Sequence, residues 1–508
     1  MKPKTLVGFI ALFIILNTVP FLYAAWVGQS GYVFGGFLLN PGDGNSYLAK
    51  MYQGWLGSWK GVLPFTAEPG QGVYLFTYYL FLGHVARWFH LSLVLVFHIA
   101  RVAGGAVLLL ALSSFFYHIY HNENKTYHAM LLVAFGSGLG WLAIPFGQFT
   151  SDFWVAETYP FLSSVVNPHF PLALAILVWL LTDLDNVKSW TGVFLNVLGA
   201  FLLAVLQPFG IVIAVVAIGG KVAWDWWDTK QLSWQKVFWL LIGGGPVIFY
   251  QLWVTTANPI LANWNKQNQT PAPPLWDIVL ALSPALVMAI TALIIHLRRK
   301  KPVNRLLVSW MVLTILLIYI PFNLQRRFML GLFIPVVALA IDGIYRVMQE
   351  KPNNFRWLPN AVFILSIITN LFVMIGAVLV IQFYQPWLFL TTGENQALEW
   401  IKNNTPQDAL ILSDAEMGVF IPAHTGRRVI YGHPFETVNA SEEKQTVDSF
   451  FLSKLNEQEQ IDLLVHRNVS YIFYGPRDVK GGKPVVFNSL SIAYQASGVT
   501  LYKVDQTP

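Results

Sequence analysis

Long apolar runs recur along almost the whole chain, and short polar stretches separate them. Each run is about 18 to 27 residues long, which is the length that an α-helix needs to cross the apolar core of a bilayer. The eleven runs begin near residues 5, 92, 128, 168, 190, 209, 237, 276, 306, 328 and 358. The pattern therefore predicts a mainly α-helical, polytopic membrane bundle with about eleven spans.

Residues 72–90 decide the predicted topology, because they are apolar and almost long enough to make a twelfth span. Short cytoplasmic loops are enriched in Lys and Arg, and with eleven spans the basic cluster at 298–301 lies in the cytoplasm. A twelfth span would move that cluster to the outer face. We therefore predict a cytoplasmic amino terminus, one large outer loop over residues 26–91, and an outer location for the chain after about residue 384.

The composition supports this prediction, since 55% of the 508 residues are hydrophobic and only 11% are charged. The formal net charge of +6 comes from short basic clusters beside the apolar runs rather than from one basic face, which argues against a nucleic-acid partner. The chain has no cysteine, which excludes a disulfide, a thiolate nucleophile and a Cys-ligated metal site.

A helical pattern extends from the start of the first outer loop to about Lys60. Apolar and aromatic side chains recur there at three- and four-residue spacing, while Lys50, Gln53 and Ser58 are expected on other faces. The apolar face consists of Leu48, Met51, Tyr52, Trp55, Leu56 and Trp59. Tyr and Trp favour the membrane interface, so we predict a helix that lies along the outer surface of the bilayer.

Asp43 lies between Gly42 and Gly44, directly before this predicted helix. Glycine neighbours free the backbone and leave the carboxylate sterically open to a ligand. The alternative is an Asx turn or a helix cap, which residue statistics favour almost as strongly.

Arg326 and Arg327 lie at the predicted outer junction between the ninth and tenth spans, against the usual charge bias. An arginine near membrane depth costs roughly 2.5 to 3.5 kcal/mol on insertion scales, so it suggests a compensating anion such as a lipid phosphate. Arg101, near the outer end of the second span, is a further candidate for the same anion or for a buried acidic partner. The alternative is that these side chains extend to the headgroups.

The last part of the chain alternates helical and strand patterns. We predict helices over 393–404 and 448–467 and buried strands over 410–412 and 471–474, which together make a small α/β domain. Turn-rich pieces at 423–426 and 432–434 are where acceptor contacts or a lid are expected.

This architecture resembles the GT-C glycosyltransferases, which include the protein O-mannosyltransferases and the aminoarabinose transferase of lipid A. The likeness consists of an uncleaved first span, a long outer loop with an acidic residue beside a juxtamembrane helix, many further spans and an outer carboxy-terminal domain. Two motif elements differ, because Asp43 has glycine neighbours instead of a second acidic residue and Glu68-Pro69-Gly70 replaces the His-Pro-Pro element. The implied domains are a membrane-embedded catalytic part over 1–384 and an extracytoplasmic α/β part over 385–508.

The resemblance also implies acidic or polar groups in the second outer loop. Asp152, Glu157, Asn167 and His169 are the residues at that position, and a solvated loop is the alternative reading. Asp152 and Glu157 would add carboxylates to Asp43 for acid–base chemistry or for a divalent cation such as Mg²⁺ or Mn²⁺. Glu68 is included among the substrate-binding candidates because of its place in the first loop.

The implied activity is an inverting transfer of a sugar from a polyprenyl-phosphate donor to a hydroxyl of a glycan, lipid or protein on the outer face of the plasma membrane. Asp43 would act as general base, with Glu157 as a second catalytic carboxylate. His169, Arg326, Arg327, Asp152, Glu68, Arg101 and Asn167 would bind substrate. The chain has no nucleotide-binding fingerprint, which argues for a lipid-linked donor. The alternatives are a flippase for lipid-linked sugars and an oligosaccharyltransferase with a pyrophosphate-linked donor.

Overall fold

The computed structural model describes residues 2–28, 31–350, 354–478 and 490–505. The fold is mainly helical, at 68% of residues, with a small sheet near the carboxy terminus. Twenty α-helices occur in the described ranges. The first ten are α1 Pro3–Val27, α2 Pro41–Trp55, α3 Thr77–Trp88, α4 Leu93–Tyr120, α5 Glu123–Phe135, α6 Pro160–Val166, α7 His169–Thr182, α8 Trp190–Leu206, α9 Pro208–Thr229 and α10 Gln235–Ala257. The other ten are α11 Pro259–Gln267, α12 Leu275–Leu282, α13 Ala285–Arg299, α14 Arg305–Ile318, α15 Phe333–Glu350, α16 Leu358–Gln382, α17 Thr392–Asn404, α18 Met417–Thr425, α19 Ala440–Phe451 and α20 Glu457–His466.

Seven helical stretches in the described residues are long and apolar enough to cross a membrane. Five are α1, α4, α9, α10 and α16, and the other two continue α5 and α15 through 3₁₀ turns, as Glu123–Phe146 and Gln325–Glu350. The pair α12 and α13, bent by 90° at Ser283–Pro284, makes an eighth if it counts as one span. The protein is thus a multi-pass membrane protein.

The eleven predicted runs all correspond to helices, but the count of eleven spans is not confirmed. The remaining three runs form α7, α8 and α14, which are shorter apolar helices. A 14-residue helix such as α7 rises only about 21 Å, less than the ~30 Å apolar core of a bilayer. Proline or polar residues end these helices early, as Gln207–Pro208 does between α8 and α9.

Residues 72–90 contain only α3, which has 12 residues. This helix rises about 18 Å and does not qualify as a span. Its length agrees with the prediction that the segment does not cross the membrane. The sidedness of the termini remains a prediction.

The chain divides into two compact units, neither of which is continuous in sequence. Unit one comprises residues 1–20, 98–251 and 269–378, and unit two comprises residues 21–97, 252–268 and 379–508. The first predicted outer loop and the carboxy-terminal region therefore belong to the same unit. Within unit one, Gln325–Glu350 is the most enclosed span, with 89% of its apolar window buried.

Unit two contains two sheets. Strand β1 Tyr32–Phe34 pairs antiparallel with β2 Phe389–Thr391. The larger sheet has the order β4-β3-β5-β7-β6, in which β3 is parallel to β4 and β5 while β7 is antiparallel to β5 and β6. Its strands are β3 Leu410–Leu412, β4 Arg428–Val429, β5 Tyr471–Tyr474, β6 Leu490–Ala496 and β7 Val499–Val504.

The predicted strands at 410–412 and 471–474 and the helix at 393–404 match β3, β5 and α17 closely. The single helix predicted over 448–467 was wrong, because α19 ends at Phe451 and α20 begins at Glu457. Asn456 explains the new start: its side chain accepts from the Glu459 amide, and the Glu459 side chain accepts from the Asn456 amide. This capping box defines a helix end inside what periodicity treats as one helix.

Arg477 binds residues 386–394 at the beginning of the carboxy-terminal region. Its guanidinium pairs with the Glu394 carboxylate at 2.8 Å and donates to the carbonyls of Pro386 and Phe389. Nearby, burial, together with the charge of Asp414, raises the pKa of Asp478 to about 8. The buried arginine therefore faces several carboxyl groups and ties β2 and α17 to the loop after β5.

Two glycines allow α2 and α3 to approach closely. A Cβ at Gly54 would lie 2.0 Å from the carbonyl oxygen of Leu80, and a Cβ at Gly83 would lie 1.9 Å from that of Met51. Both obstacles are backbone atoms, which cannot rotate away. The crossing thus requires glycine at both positions, and it fixes the orientation of α2.

We expect Gly83→Ala to lower the thermal unfolding temperature in detergent, since overpacking of this kind costs about 1–3 kcal/mol. The control is Gly245→Ala in α10, where nothing lies within 4 Å of an added Cβ. That variant should be neutral or slightly stabilising, because alanine is the better helix former. Equal unfolding temperatures for the two variants would contradict the close crossing.

Candidate functional site

Asp43 lies in the first turn of α2 rather than before it. Asn40 is the N-cap residue in the left-handed conformation, which asparagine tolerates, and Pro41 occupies the first helical position. The positive end of the helix dipole favours a carboxylate in this turn. The Asp43 side chain is 32% exposed, so it is held in place and still accessible.

The two glycines beside Asp43 differ in the space that surrounds them. A Cβ at Gly44 would lie 2.4 Å from the ring of Phe37, so glycine lets this ring pack on the helix. A Cβ at Gly42 would be in ordinary contact, at 3.4 Å, with Nε2 of His433. Glycine is therefore required for packing at residue 44, while residue 42 has room for a Cβ beside His433.

His433 is the nearest titratable partner of Asp43. Its Nε2 lies 3.3 Å from Asp43 Oδ1, and its side chain is only 4% exposed. Nδ1 accepts hydrogen bonds from the backbone amides of Phe435 and Glu436, each at 3.2 Å. Because two N–H groups point at Nδ1, the ring hydrogen belongs on Nε2, the atom that faces Asp43. On the other side, Asn40 Nδ2 donates to Asp43 Oδ2 at 2.5 Å.

The turn that carries His433 is closed by its own hydrogen bonds. The Thr437 hydroxyl accepts from the amides of Gly432 and His433, and the Thr437 amide donates to the His433 carbonyl. Two side chains at the end of α11 bind the same turn. Gln267 donates to the carbonyl of Thr437, and Asn268 donates to the carbonyl of Phe435. The turn thus presents the imidazole in one orientation.

The predicted amphipathic pattern of α2 was wrong at Lys50. The helix ends at Trp55 instead of near Lys60, and Lys50, expected away from the apolar face, is completely buried. Its ammonium group pairs with Glu436 Oε1 at 3.0 Å and lies 4.0 Å from the centre of the Phe76 ring. Helix α2 is buried on several sides in unit two, which a one-sided pattern does not describe.

In unit one, Glu157 and Arg327 form an ion pair at 3.3 Å. The Glu157 side chain is 5% exposed and that of Arg327 is 30% exposed. The guanidinium of the neighbouring Arg326 lies 4.7 Å from the centre of the Trp154 ring. The anion that compensates Arg327 is therefore a residue of this chain, whereas Arg326 is partly buried and makes a cation–π contact.

Asp152 is fully buried, and groups of the protein occupy its carboxylate. It accepts from the amides of Gly138 and Gly140 and from the Thr150 hydroxyl. These bonds shape the turns that follow α5. Such an arrangement resembles a structural anchor more than an open ligand site.

The remaining predicted residues occupy varied environments. Arg101 is buried and donates to the carbonyls of Asn17 and Ser164. His169, also buried, packs on Phe170, while the buried side chain of Asn167 has neither its oxygen nor its nitrogen hydrogen-bonded. Glu68 is exposed in unit two.

No group of three or more His, Asp or Glu side chains that could hold a metal occurs in the described ranges. Asp43 has a histidine and an amide beside it, and Glu157 faces a cation. In the described residues these neighbours differ from the several oxygen ligands that Mg²⁺ or Mn²⁺ binds.

Sequence reasoning proposed Asp43 but predicted neither its neighbour His433 nor the burial of Lys50, which pairs with Glu436. His433 stood out only as part of a turn-rich piece with expected acceptor contacts. No local pattern links that turn to α2, because the two stretches meet through tertiary packing. The available signal was a lysine whose nearest neighbours in the sequence, Leu48, Ala49, Met51 and Tyr52, are apolar.

No protein-family model and no curated protein matches the sequence. Solved structures do match the fold. The chain is similar to the oligosaccharyltransferase of Archaeoglobus fulgidus, with a TM-score of 0.56 and 13% identity over 93% of this chain and 70% of that one. It is also similar to ArnT from Cupriavidus metallidurans, with a TM-score of 0.53 and 10% identity over 98% and 97% of the two chains.

A third similar structure is the arabinofuranosyltransferase AftD from Mycobacteria, with a TM-score of 0.51 and 13% identity. That match covers 100% of this chain and 40% of AftD. All three proteins are GT-C glycosyltransferases. The chain therefore has the GT-C fold, as the resemblance in its sequence indicated.

Because Glu157 is more buried than Arg327, replacing each residue should lower the stability of the protein by a different amount. Arg327→Met leaves a buried carboxylate without its cation and should cost about 3 kcal/mol of stability. Glu157→Gln leaves a guanidinium that reaches water and should cost about 1 kcal/mol or less. Thermal unfolding in detergent compares both with the double variant, which should recover most of the loss of Arg327→Met. A larger loss for Glu157→Gln would contradict the arrangement.

Proposed function

We propose that this protein is an inverting glycosyltransferase of the plasma membrane that moves a sugar from a polyprenyl-phosphate donor to an acceptor hydroxyl. The observation that carries the proposal is the accessible Asp43 carboxylate at the amino end of α2, oriented by the Nε2–H of His433. A general base needs a fixed position and an available lone pair. The Asp43 side chain is 32% exposed, so an acceptor hydroxyl can reach it.

The fold supports a lipid-linked donor. ArnT from Cupriavidus metallidurans has been solved with undecaprenyl phosphate. The archaeal oligosaccharyltransferase AglB has been solved with an inhibitory peptide and a dolichol-phosphate. The same fold thus accepts polyprenyl phosphates in two proteins, and we extend this ligand class to the present chain.

In the proposed reaction, the acceptor oxygen attacks the anomeric carbon from the side opposite the lipid phosphate. The bond from that carbon to the phosphate oxygen breaks as the new glycosidic bond forms, which inverts the configuration. The acceptor proton passes to Asp43, and the bonding electrons leave with the phosphate. Phosphate is a good leaving group, so a general acid is unnecessary and charge stabilisation suffices.

Arg326 is our candidate for binding the donor phosphate. Arg326 is partly buried and its guanidinium lies over Trp154, and a planar fork of this kind binds phosphate oxygens in pairs. Arg327 adds positive charge next to it, and Glu157 orients Arg327 through the ion pair. Glu157 is therefore proposed as a positioning residue, a narrower role than the catalytic one predicted from the sequence. Asn167 has unused hydrogen-bonding capacity for a sugar hydroxyl.

An oligosaccharyltransferase acting on a pyrophosphate-linked donor is the second candidate. The likeness to the Archaeoglobus enzyme, at a TM-score of 0.56, favours it. Purified protein offered matched polyprenyl-monophosphate and polyprenyl-pyrophosphate sugars separates the two activities by which donor is consumed. Consumption of the monophosphate donor alone supports the first proposal, and consumption of the pyrophosphate donor alone overturns it.

Asp43→Asn keeps the shape of the side chain but removes the base, and we expect the transfer rate to fall by roughly 10²–10⁴-fold. The measurement is transfer of radiolabel from polyprenyl-phosphate sugars in membranes of expressing cells. Asp462→Asn, at an exposed position on α20, is the matched control and should transfer at the parent rate. A fully active Asp43→Asn variant would remove the central claim.

Arg326→Gln should weaken donor binding, with a rise of roughly tenfold or more in the donor KM, because a charge-assisted contact to phosphate is lost. Arg298→Gln, at an exposed position near the end of α13, removes the same charge elsewhere in unit one. Steady-state kinetics over a range of donor concentrations compares the two variants. An unchanged donor KM in Arg326→Gln would argue that another group binds the phosphate.

A further inference from the structure

Lys50 and Asp43 lie on nearly the same face of α2. They are seven residues apart, which is almost two helical turns. Lys50 is completely buried, donates to Ser46 Oγ at 2.8 Å and pairs with Glu436 Oε1 at 3.0 Å. The rings of Phe76 and Tyr47 lie 4.0 and 5.1 Å from its ammonium nitrogen. The charge is thus enclosed by one carboxylate, one hydroxyl and two aromatic faces.

Glu436 connects this lysine to the histidine that holds Asp43. Its carboxylate pairs with Lys50, while its backbone amide donates to His433 Nδ1. One residue therefore contacts α2 with its side chain and fixes the imidazole tautomer with its main chain. The series Lys50, Glu436, His433 and Asp43 starts on α2 and returns to α2 about two turns away.

Stability alone gives a poor account of this ion pair. Enclosing an ammonium group costs several kcal/mol, and well-packed apolar side chains of the same size are often as stable or more stable. The pairing is also incomplete, since Glu436 Oε2 is buried without a hydrogen-bond partner. Charge, in contrast to apolar packing, selects one partner at one distance, which suits a contact that must set the position of a turn.

We propose that Lys50 and Glu436 are positioning residues, whose ion pair fixes residues 432–437 against α2 and thereby sets the contact of His433 with Asp43. The inference rests on the proposed function in one respect only, namely that a well-placed Asp43 matters for sugar transfer. The placement itself is a property of unit two and can be measured without any substrate.

The experiment compares Lys50→Met, Glu436→Gln and the double variant. Each single change leaves one buried charge unpaired and should lower the unfolding temperature, whereas the double change removes both charges and should restore it. In the double variant the amides of Phe435 and Glu436 should still exchange hydrogen on the order of tenfold faster than in the parent. Its kcat should fall by roughly tenfold to a hundredfold with little change in the acceptor KM, because the base is displaced but the substrate still binds.

A purely structural pair gives a different result. The double variant would then regain the unfolding temperature, the amide exchange and kcat of the parent together, and that outcome overturns the proposal. The matched control is Lys444→Met with Asp448→Asn, which removes an exposed ion pair on α19 and should change none of the three readouts. If the parent protein transfers no sugar, the proposed function fails, and amide exchange over 432–437 alone decides the positioning role.

Discussion

The close contact of His433 Nε2 with Asp43 Oδ1, at 3.3 Å, joins two parts of unit two that are far apart in the sequence. It forms only if α2 has one orientation and the turn at 432–437 has one conformation. The glycine crossing of α2 with α3 supplies the first condition, and the Thr437 hydroxyl with the end of α11 supplies the second. Most of the local structure around the candidate base follows from these requirements. The carboxy-terminal region is accordingly part of the candidate site and more than a covering domain.

Three of the buried charged residues in this mostly apolar chain are Glu157, Asp152 and Lys50. A buried charge without a partner is costly, so each of these groups has a partner that holds it in one place. Glu157 pairs with Arg327, Asp152 accepts from two amides and a hydroxyl, and Lys50 pairs with Glu436. Asp43 differs from this group because it is oriented by neighbours yet remains one-third exposed. That combination of order and access is the reason that Asp43, and not one of the enclosed carboxylates, is the proposed base.

Local sequence patterns were informative wherever local physics decides the structure. Hydropathy located all eleven apolar runs, and strand and helix patterns located β3, β5 and α17. Periodicity gave the wrong environment for Lys50, because it assigns a charged residue to a solvated face. Its partner Glu436 is distant in the sequence, so no local pattern indicates the ion pair. Periodicity also missed the break between α19 and α20, where the capping box at Asn456 outweighs the continuous pattern. The His433–Asp43 contact had no local signal, because it depends on two packed elements at once.

The comparisons place these contacts in a wider setting. Three glycosyltransferases with 10 to 13% identity share this fold. One is an oligosaccharyltransferase, one is an arabinofuranosyltransferase, and the third, ArnT, has been solved with undecaprenyl phosphate. A fold that hosts such different reactions does not by itself select the substrate. Selection must then come from side chains at the helix ends and turns that the fold presents, such as the first turn of α2 and the turn at 432–437. An ion pair that fixes one of these turns can preserve the reacting geometry while exposed residues around it vary with the acceptor. The enclosed Lys50 then serves placement more than stability, because a buried ion pair is seldom more stable than apolar packing of the same size.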